Sequence, residues 1–391
     1  MRGTHGGEDD DLVVIDLDGE EPASAARTPS LTHPRHERRM HAIAALTVVA
    51  VVAVAALVTV RAEHHRHHAL LPFATGTALV TADGTTLRRV DVDTGAERTA
   101  RYDALAQPGP VTLTLATHDA LVAALPSTPN SPVLSTYLVP ADLAGTPVPV
   151  ATSADALVAA PDGRHVVLAK SGSGNLFAVD VHGHVVEEPS GDTLYPSPLA
   201  ALRDGFVTAG WSFHELDGDT TLVRDGRVIG AGGTRVAWVR ACDATRCPLV
   251  VTDVDGGADR SFAEPALAPL LSPYFAAGVS MNTELLGRVS SDGRDLVVVG
   301  PDRSVVVVDL DTGAAQRLRV RAFDLHAVAW SPDGRTLFVL DTGSRRPRLV
   351  AVVPETGATH ALRTRIGTGT ASLVAVPGPR QGPRRATAPE P

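Results

Sequence analysis

Hydrophobic positions along this chain follow three successive patterns. Residues 1–41 are polar, rich in acids, Pro, Ser and Gly, with a single apolar run, Leu12 to Ile15, inside EDDDLVVIDLDGEE. Such a segment cannot bury a core and reads as a disordered acidic tail. From Ala42 to Val60 the chain runs nineteen residues without a charge, amide, proline or glycine. A helix of that length covers about 28 Å, close to the roughly 30 Å hydrocarbon core of a bilayer. After a linker at 61–74, residues 75–377 become short Val-rich, β-branched segments separated by Asp-Gly turns, with no sustained helical period. That alternation predicts an all-β domain of many short strands. A Pro-, Gly- and Arg-rich tail, 378–391, closes the chain and is expected to be disordered.

Ala42–Val60 predicts a single membrane span. A cleaved signal peptide is the competing reading, but about forty residues precede the run and no small-x-small cleavage site follows Val60. A buried core helix would show a polar face, and this one is apolar all round. Arg35, Arg38 and Arg39 stand just before the span, while Arg61 and Arg66 follow it. Basic residues resist translocation, so the N-terminus is expected in the cytoplasm and residues 61–391 outside it, at the plasma membrane. In this topology the run Leu12–Ile15 could add as a strand to a cytoplasmic partner, or serve only as a solvated acidic tail.

Within 75–377 two units recur. One is a tight turn leading into a strand: APDGRHVVLA with Asp162 and Gly163, SSDGRDLVVV with Asp292 and Gly293, and SPDGRTLFVL with Asp333 and Gly334. The other is a strand running into a second turn, ending at Gly95, Gly183, Gly256, Gly313 and Gly357, with weaker members at Gly145 and Gly226. These seven turns are spaced about 44 residues apart on average, the length of four short antiparallel strands and their connections, which is one propeller blade. The interval ending at Gly256 is the shortest, as though a strand were missing, so six blades is the alternative to seven. Ser331-Pro332-Asp333-Gly334 puts Pro where φ near −65° is wanted and Gly where φ must be positive. With these residues the chain resembles the TolB-like and WD-repeat-like propellers, whose blades carry SPDGR-type first turns. It lacks the Trp-Asp dipeptide of true WD repeats. The resemblance implies a β-propeller and carries no particular partner with it. The first repeat supplies three strands only, and TASLVAV at 370–376 has no blade of its own, so the last strand is expected to complete the first blade.

Composition alters this picture in a few places. The chain carries 35 Lys plus Arg against 44 Asp plus Glu, a net charge of −9, and an acidic body argues against nucleic acid as a partner. All but one of the basic residues are arginine, the exception being Lys170, a bias that resembles GC-rich codon usage. Cys242 and Cys247 in ACDATRCPLVV predict a disulfide across a hairpin loop in an oxidising compartment. Zinc would need about four ligands, and no further Cys or His pair lies near. His64, His65, His67 and His68 offer either a weak metal site or a juxtamembrane spacer, and the spacer is preferred because no folded cage surrounds them. The repeated Asp-x-Asp-x-Gly at Asp91, Asp253 and Asp309 lacks the remainder of a calcium loop and reads as turn structure. No metal or cofactor is expected, and no G-x-S-x-G, H-E-x-x-H or phosphate-cradling loop is present.

If both recurring turns lie on one face of the ring, the long connections Glu188–Ser197 and Phe262–Gly287 emerge on the other. They carry Tyr195, Tyr274, Phe275, Met281 and Asn282, either as a ligand-binding surface or as packing that holds the loops down. The functional expectation is a non-enzymatic, membrane-anchored extracytoplasmic propeller that binds a protein, peptide or cell-envelope ligand. Its alternative is a propeller hydrolase or lyase acting on an envelope sugar or lactone, and a third reading is a sensor that signals through the span.

Overall fold

The computed structural model describes residues 70–378, except 74, 107–110, 116–118, 127–133, 151–153, 160–165, 171–175, 181–183, 188–197, 203–204, 209–211, 216–219, 224–225, 264–265, 277–284, 344–346, 365, 368–369 and 371. The span Ala42–Val60, the run Leu12–Ile15, the linker histidines, the tail from 379, and Asp162, Gly163, Tyr195, Met281 and Asn282 lie outside the described residues. Among the described residues no helix is long and apolar enough to cross a membrane.

The Val-rich segments form strands as their alternation predicts, β1 (Thr77–Asp83), β2 (Thr86–Asp91) and β3 (Glu97–Arg101) first. The second group is β4 (Thr112–Leu115), β5 (Ala120–Pro126), β6 (Leu134–Pro140) and β7 (Val148–Val150), and the third β8 (Ala154–Ala159), β9 (Val166–Lys170), β10 (Leu176–Val179) and β11 (Val185–Glu187). Next come β12 (Pro198–Ala201), β13 (Gly205–Thr208), β14 (Ser212–Glu215) and β15 (Thr220–Val223), then β16 (Arg227–Gly232), β17 (Arg235–Val239), β18 (Pro248–Asp253) and β19 (Arg260–Ala263). After a helix, α1 (Ala268–Ala276), follow β20 (Gly287–Val289), β21 (Asp295–Val299), β22 (Ser304–Asp309) and β23 (Ala315–Arg321). The last are β24 (Val328–Trp330), β25 (Leu337–Asp341), β26 (Arg348–Val353), β27 (Ala358–Ala361) and β28 (Ser372–Pro377).

Among the described residues these strands make seven four-stranded antiparallel sheets, each a simple meander in chain order except the first, ordered β28-β1-β2-β3. We number the sheets 1 to 7 from that one. The first strand of each sheet packs against its counterparts on either side: β28 with β4, then β8, β12, β16 and β20 in turn, and β24 with β28. Between β20 and β24 the link is explicit, because Arg288 Nη1 donates to Val328 O at 3.1 Å and Trp330 Nε1 donates to Arg288 O at 3.0 Å. The ring therefore closes, which is the propeller architecture.

Closure uses the last strand. β28 pairs with β1 from Thr77↔Pro377 to Ala82↔Ser372, the arrangement anticipated from the unassigned TASLVAV segment. Arg89 fastens the joint by donating to Ala141 O at 2.5 Å and to Pro377 O at 3.2 Å. The packed body begins before β1: Leu71 is buried, Leu70 and Phe73 pack against the same cluster, and Leu70 N donates to Val92 O. Part of the segment assigned to the linker thus belongs to the core.

Two sequence expectations need correction. Gly226 is not a turn between the third and fourth strands of a sheet; it precedes β16 and lies against Trp238, where an added Cβ would come within 2.7 Å of the indole. The connection in question spans 216–219, which includes Asp217 and Gly218. With that correction the short interval before Gly256 disappears and β16 to β19 form a complete sheet. The second correction is α1, in a stretch with no helical period: Pro269 and Pro273 interrupt the pattern, yet Leu267, Leu270 and Leu271 are buried in one cluster with Ile229, Leu249 and Val298. Burial of that apolar edge outweighs the unfavourable Pro273.

Candidate functional site

In an antiparallel meander the connections between strands one and two and between strands three and four share a face. This turn face carries the repeated Asp-Gly turns. Ser331 Oγ donates to Asp333 Oδ1 and accepts from Thr336 N at 2.9 Å, while Gly334 N donates to Ser331 O with Gly334 at φ +76°. Ser290, Asp292 and Gly293 repeat the arrangement. Asp91 and Asp309 each accept from backbone N–H groups two or three residues on. These carboxylates hold turns. The turns also seat neighbouring sheets on one another: a Cβ at Gly334 would come within 2.7 Å of Asp292, and one at Gly313 within 2.4 Å of Phe262.

The opposite face carries the hairpins between strands two and three and the connections from sheet to sheet. Of the expected ligand-binding residues, Tyr274 and Phe275 are described, and they stand on this loop face at the C-terminal end of α1. Both are half-buried and pack on the cluster shared by sheets 5 and 6. Helix burial at Leu270 and Leu271 fixes them, so the packing reading holds for one side of each ring. Arg227, at the start of innermost strand β16, places its guanidinium 5.6 Å from the Phe275 ring centroid. Burial pulls the Arg227 pKa down, opposed by Tyr274. An aromatic pair beside a half-buried cation suits an anionic or polar ligand group better than a bare apolar one. Arg227 carried no motif that sequence reading could have used; it enters the site only because β16 lines the ring.

The disulfide braces the same corner. Cys242 and Cys247 are bonded across the hairpin between β17 and β18, with Cα atoms 4.3 Å apart, and the zinc reading is thereby overturned. Cys247 is buried in the cluster that holds α1. At the tip of the hairpin Asp243 accepts from Thr245 N and Arg246 N, which lowers its pKa.

One innermost side chain is a half-buried cation. Arg288 on β20 is pulled down by burial to about 10, with Asp324 partly restoring it. On the turn side, the Asp295 carboxyl is pushed up to about 6, first by burial and then by the charges of Asp309, Asp292 and Glu355, against which Arg294 acts. Asp295 lies at the joint of sheets 6 and 7 rather than on an innermost strand.

No family model and no curated protein matches the chain. Its structure is similar to TolB from Acinetobacter baumannii (14% identity, TM-score 0.46, covering 78% of this chain and 68% of that one). It is also similar to the periplasmic gluconolactonase of Pseudomonas aeruginosa (18% identity, TM-score 0.45, 78% and 99%). A third likeness is to the Swd1 β-propeller domain of Myceliophteria thermophila (12% identity, TM-score 0.38, 66% and 89%).

Proposed function

We propose that this chain is a single-pass, membrane-anchored, extracytoplasmic seven-bladed β-propeller that binds a protein, peptide or cell-envelope ligand without catalysing a reaction. The observation that carries the binding assignment is the loop-face corner where α1 presents Tyr274 and Phe275 beside Arg227, on a scaffold braced by the Cys242–Cys247 disulfide. Rigid sheets that position a pair of aromatics and a cation on loops are the usual form of a recognition surface. Anchoring is supported by the nineteen uncharged residues Ala42–Val60 and by the arginines before them.

Two measurements test this reading. Reporter fusions placed before Arg35 should be cytoplasmic and those after His68 external; an external N-terminus would reverse the assignment. Proximity labelling from the anchored chain should mark a partner set that a Tyr274→Ser, Phe275→Ser variant loses at least tenfold while melting within about 3 °C of the parent. An unchanged set would remove the site.

A hydrolase or lyase acting on an envelope sugar or lactone is favoured by one feature, the Asp295 carboxyl at about 6, poised to exchange a proton near neutrality. Lactone hydrolysis by the purified chain that Asp295→Asn abolishes would establish that reading instead.

A further inference from the structure

Where sheets 6 and 7 meet on the loop face, away from Tyr274 and Phe275, Arg303 and Phe323 stand together, and Arg319 and Arg321 are exposed on the last residues of β23. β23 ends at Arg321, and Ala322 N donates to Arg303 O at 3.0 Å, which holds the hairpin between β21 and β22 against the start of the next connection. The Arg303 guanidinium lies 4.9 Å from the centroid of the Phe323 ring. Arg303 keeps this position with φ +66°, in the left-handed region that a non-glycine residue enters at a cost. Phe323 is 61% exposed, the one large hydrophobic side chain so exposed among the described residues. Between Val306↔Arg317 and Ser304↔Arg321 the register of β22 and β23 shifts, so Arg319 sits on an irregular stretch of the outer strand.

The carboxylates around this corner are engaged elsewhere. Asp302 accepts from Ser304 and pairs with Arg317 at 2.8 Å. Asp324 accepts from His326 N. Asp341 accepts from Arg321 N and Gly343 N and pairs with Arg348 at 2.9 Å. Arg303, Arg319 and Arg321 are left with no carboxylate partner for their guanidinium groups among the described residues. On a chain with a net charge of −9, three such cations around an exposed aromatic form a local reversal of sign.

We propose that this corner docks an acidic segment of a protein partner. Carboxylates of that segment meet Arg303, Arg319 and Arg321, and an apolar side chain between them covers Phe323. Arginine and aromatic side chains are the residue types that dominate binding energy at interfaces, and the sign reversal confines attraction of an anionic partner to this spot. A solvated surface would not require Phe323 to remain uncovered or Arg303 to hold a strained backbone. The surface is separate from the Tyr274–Phe275 site, so its failure leaves that assignment standing.

The test uses the full-length chain in detergent micelles and a fluorescein-labelled synthetic peptide of eight glutamates interrupted by one tryptophan. Anisotropy should report saturable binding that weakens at least tenfold between 50 and 300 mM salt. Arg319→Glu and Phe323→Ser should each weaken binding at least fivefold with unchanged melting, while Arg335→Glu, at an exposed arginine of the turn face, leaves it unchanged. A lysine peptide of the same design should not bind. Absence of binding, binding by either variant as tight as the parent's, or equally tight binding of the lysine peptide would overturn the proposal. Charge-dependent flotation with phosphatidylglycerol vesicles, lost in Arg319→Glu while the glutamate peptide fails to bind, would overturn it in favour of a lipid surface.

Discussion

Asp341 and Asp295 lie at opposite ends of the joint between sheets 6 and 7 and respond to pH in opposite directions. Burial alone would raise the Asp341 pKa, but hydrogen bonds from Arg321 N and Gly343 N and the pair with Arg348 hold it below the usual carboxylate value. A depressed pKa means stability that is present above the unfolded value, about 3.9, and is lost as pH falls through the folded one. Asp341→Asn should therefore cost about 1–2 kcal/mol in urea melts at pH 7, and that cost should shrink progressively as pH falls below the unfolded value of about 3.9. Asp295 is the reverse case. With its folded pKa near 6, its favourable contribution is complete below about pH 4 and disappears as pH rises through 6. Asp295→Asn should stabilise the protein at pH 7.5 by about 1 kcal/mol once solvent screening is allowed for, and by much less at pH 4.5. A loss of stability at pH 7.5 would show that Asp295 makes a compensating contact. Neither role is fully legible in the residue string, since Glu355 beside Asp295 and Arg321 N beside Asp341 come from the adjoining sheet.

The hairpin and turn elements carry their own tests. Cys242→Ser with Cys247→Ser should lower stability by about 1–3 kcal/mol under non-reducing conditions, and the parent should show no free thiol. Gly313→Ala should cost about 2 kcal/mol, because the added methyl meets Phe262 and the backbone needs φ +74°. Turns of this kind were readable from sequence because Pro, Asp and Gly fix local geometry. The same chemistry misled at Gly226, where VRDG has turn residues but connects two sheets. Helix α1 was hidden for a related reason: its two prolines argue against a helix locally, while the burial of Leu267, Leu270 and Leu271 that supports it depends on sheets 5 and 6 being neighbours. Of the proposed binding corner, Tyr274 and Phe275 could be read as aromatics in a long connection, and Arg227 could not.

Across the entire ring, the closing strand concentrates stability in one place. Removing 368–391 should unfold or aggregate the protein, because β28 is the innermost strand of sheet 1 and contacts both neighbouring sheets. Removing only 379–391 should shift the melting temperature little. Equal melting of both truncations would contradict closure by β28. The strand was foreseeable because it was an apolar leftover and the ring because its turns recur about every 44 residues, whereas the side-chain contacts between sheets were not, since they join residues far apart in the chain.

Gly378 N donates to Gly76 O at 2.7 Å, so the place where the chain enters the ring and the place where it leaves are side by side. A glycine linker joining 378 to 70, which keeps Leu70, Leu71 and Phe73 in the core, with new ends cut between β5 and β6, should yield a circularly permuted protein in which sheet 1 is covalently continuous. In that molecule, β28 could no longer detach as a free end, and unfolding should slow even if equilibrium stability changes little.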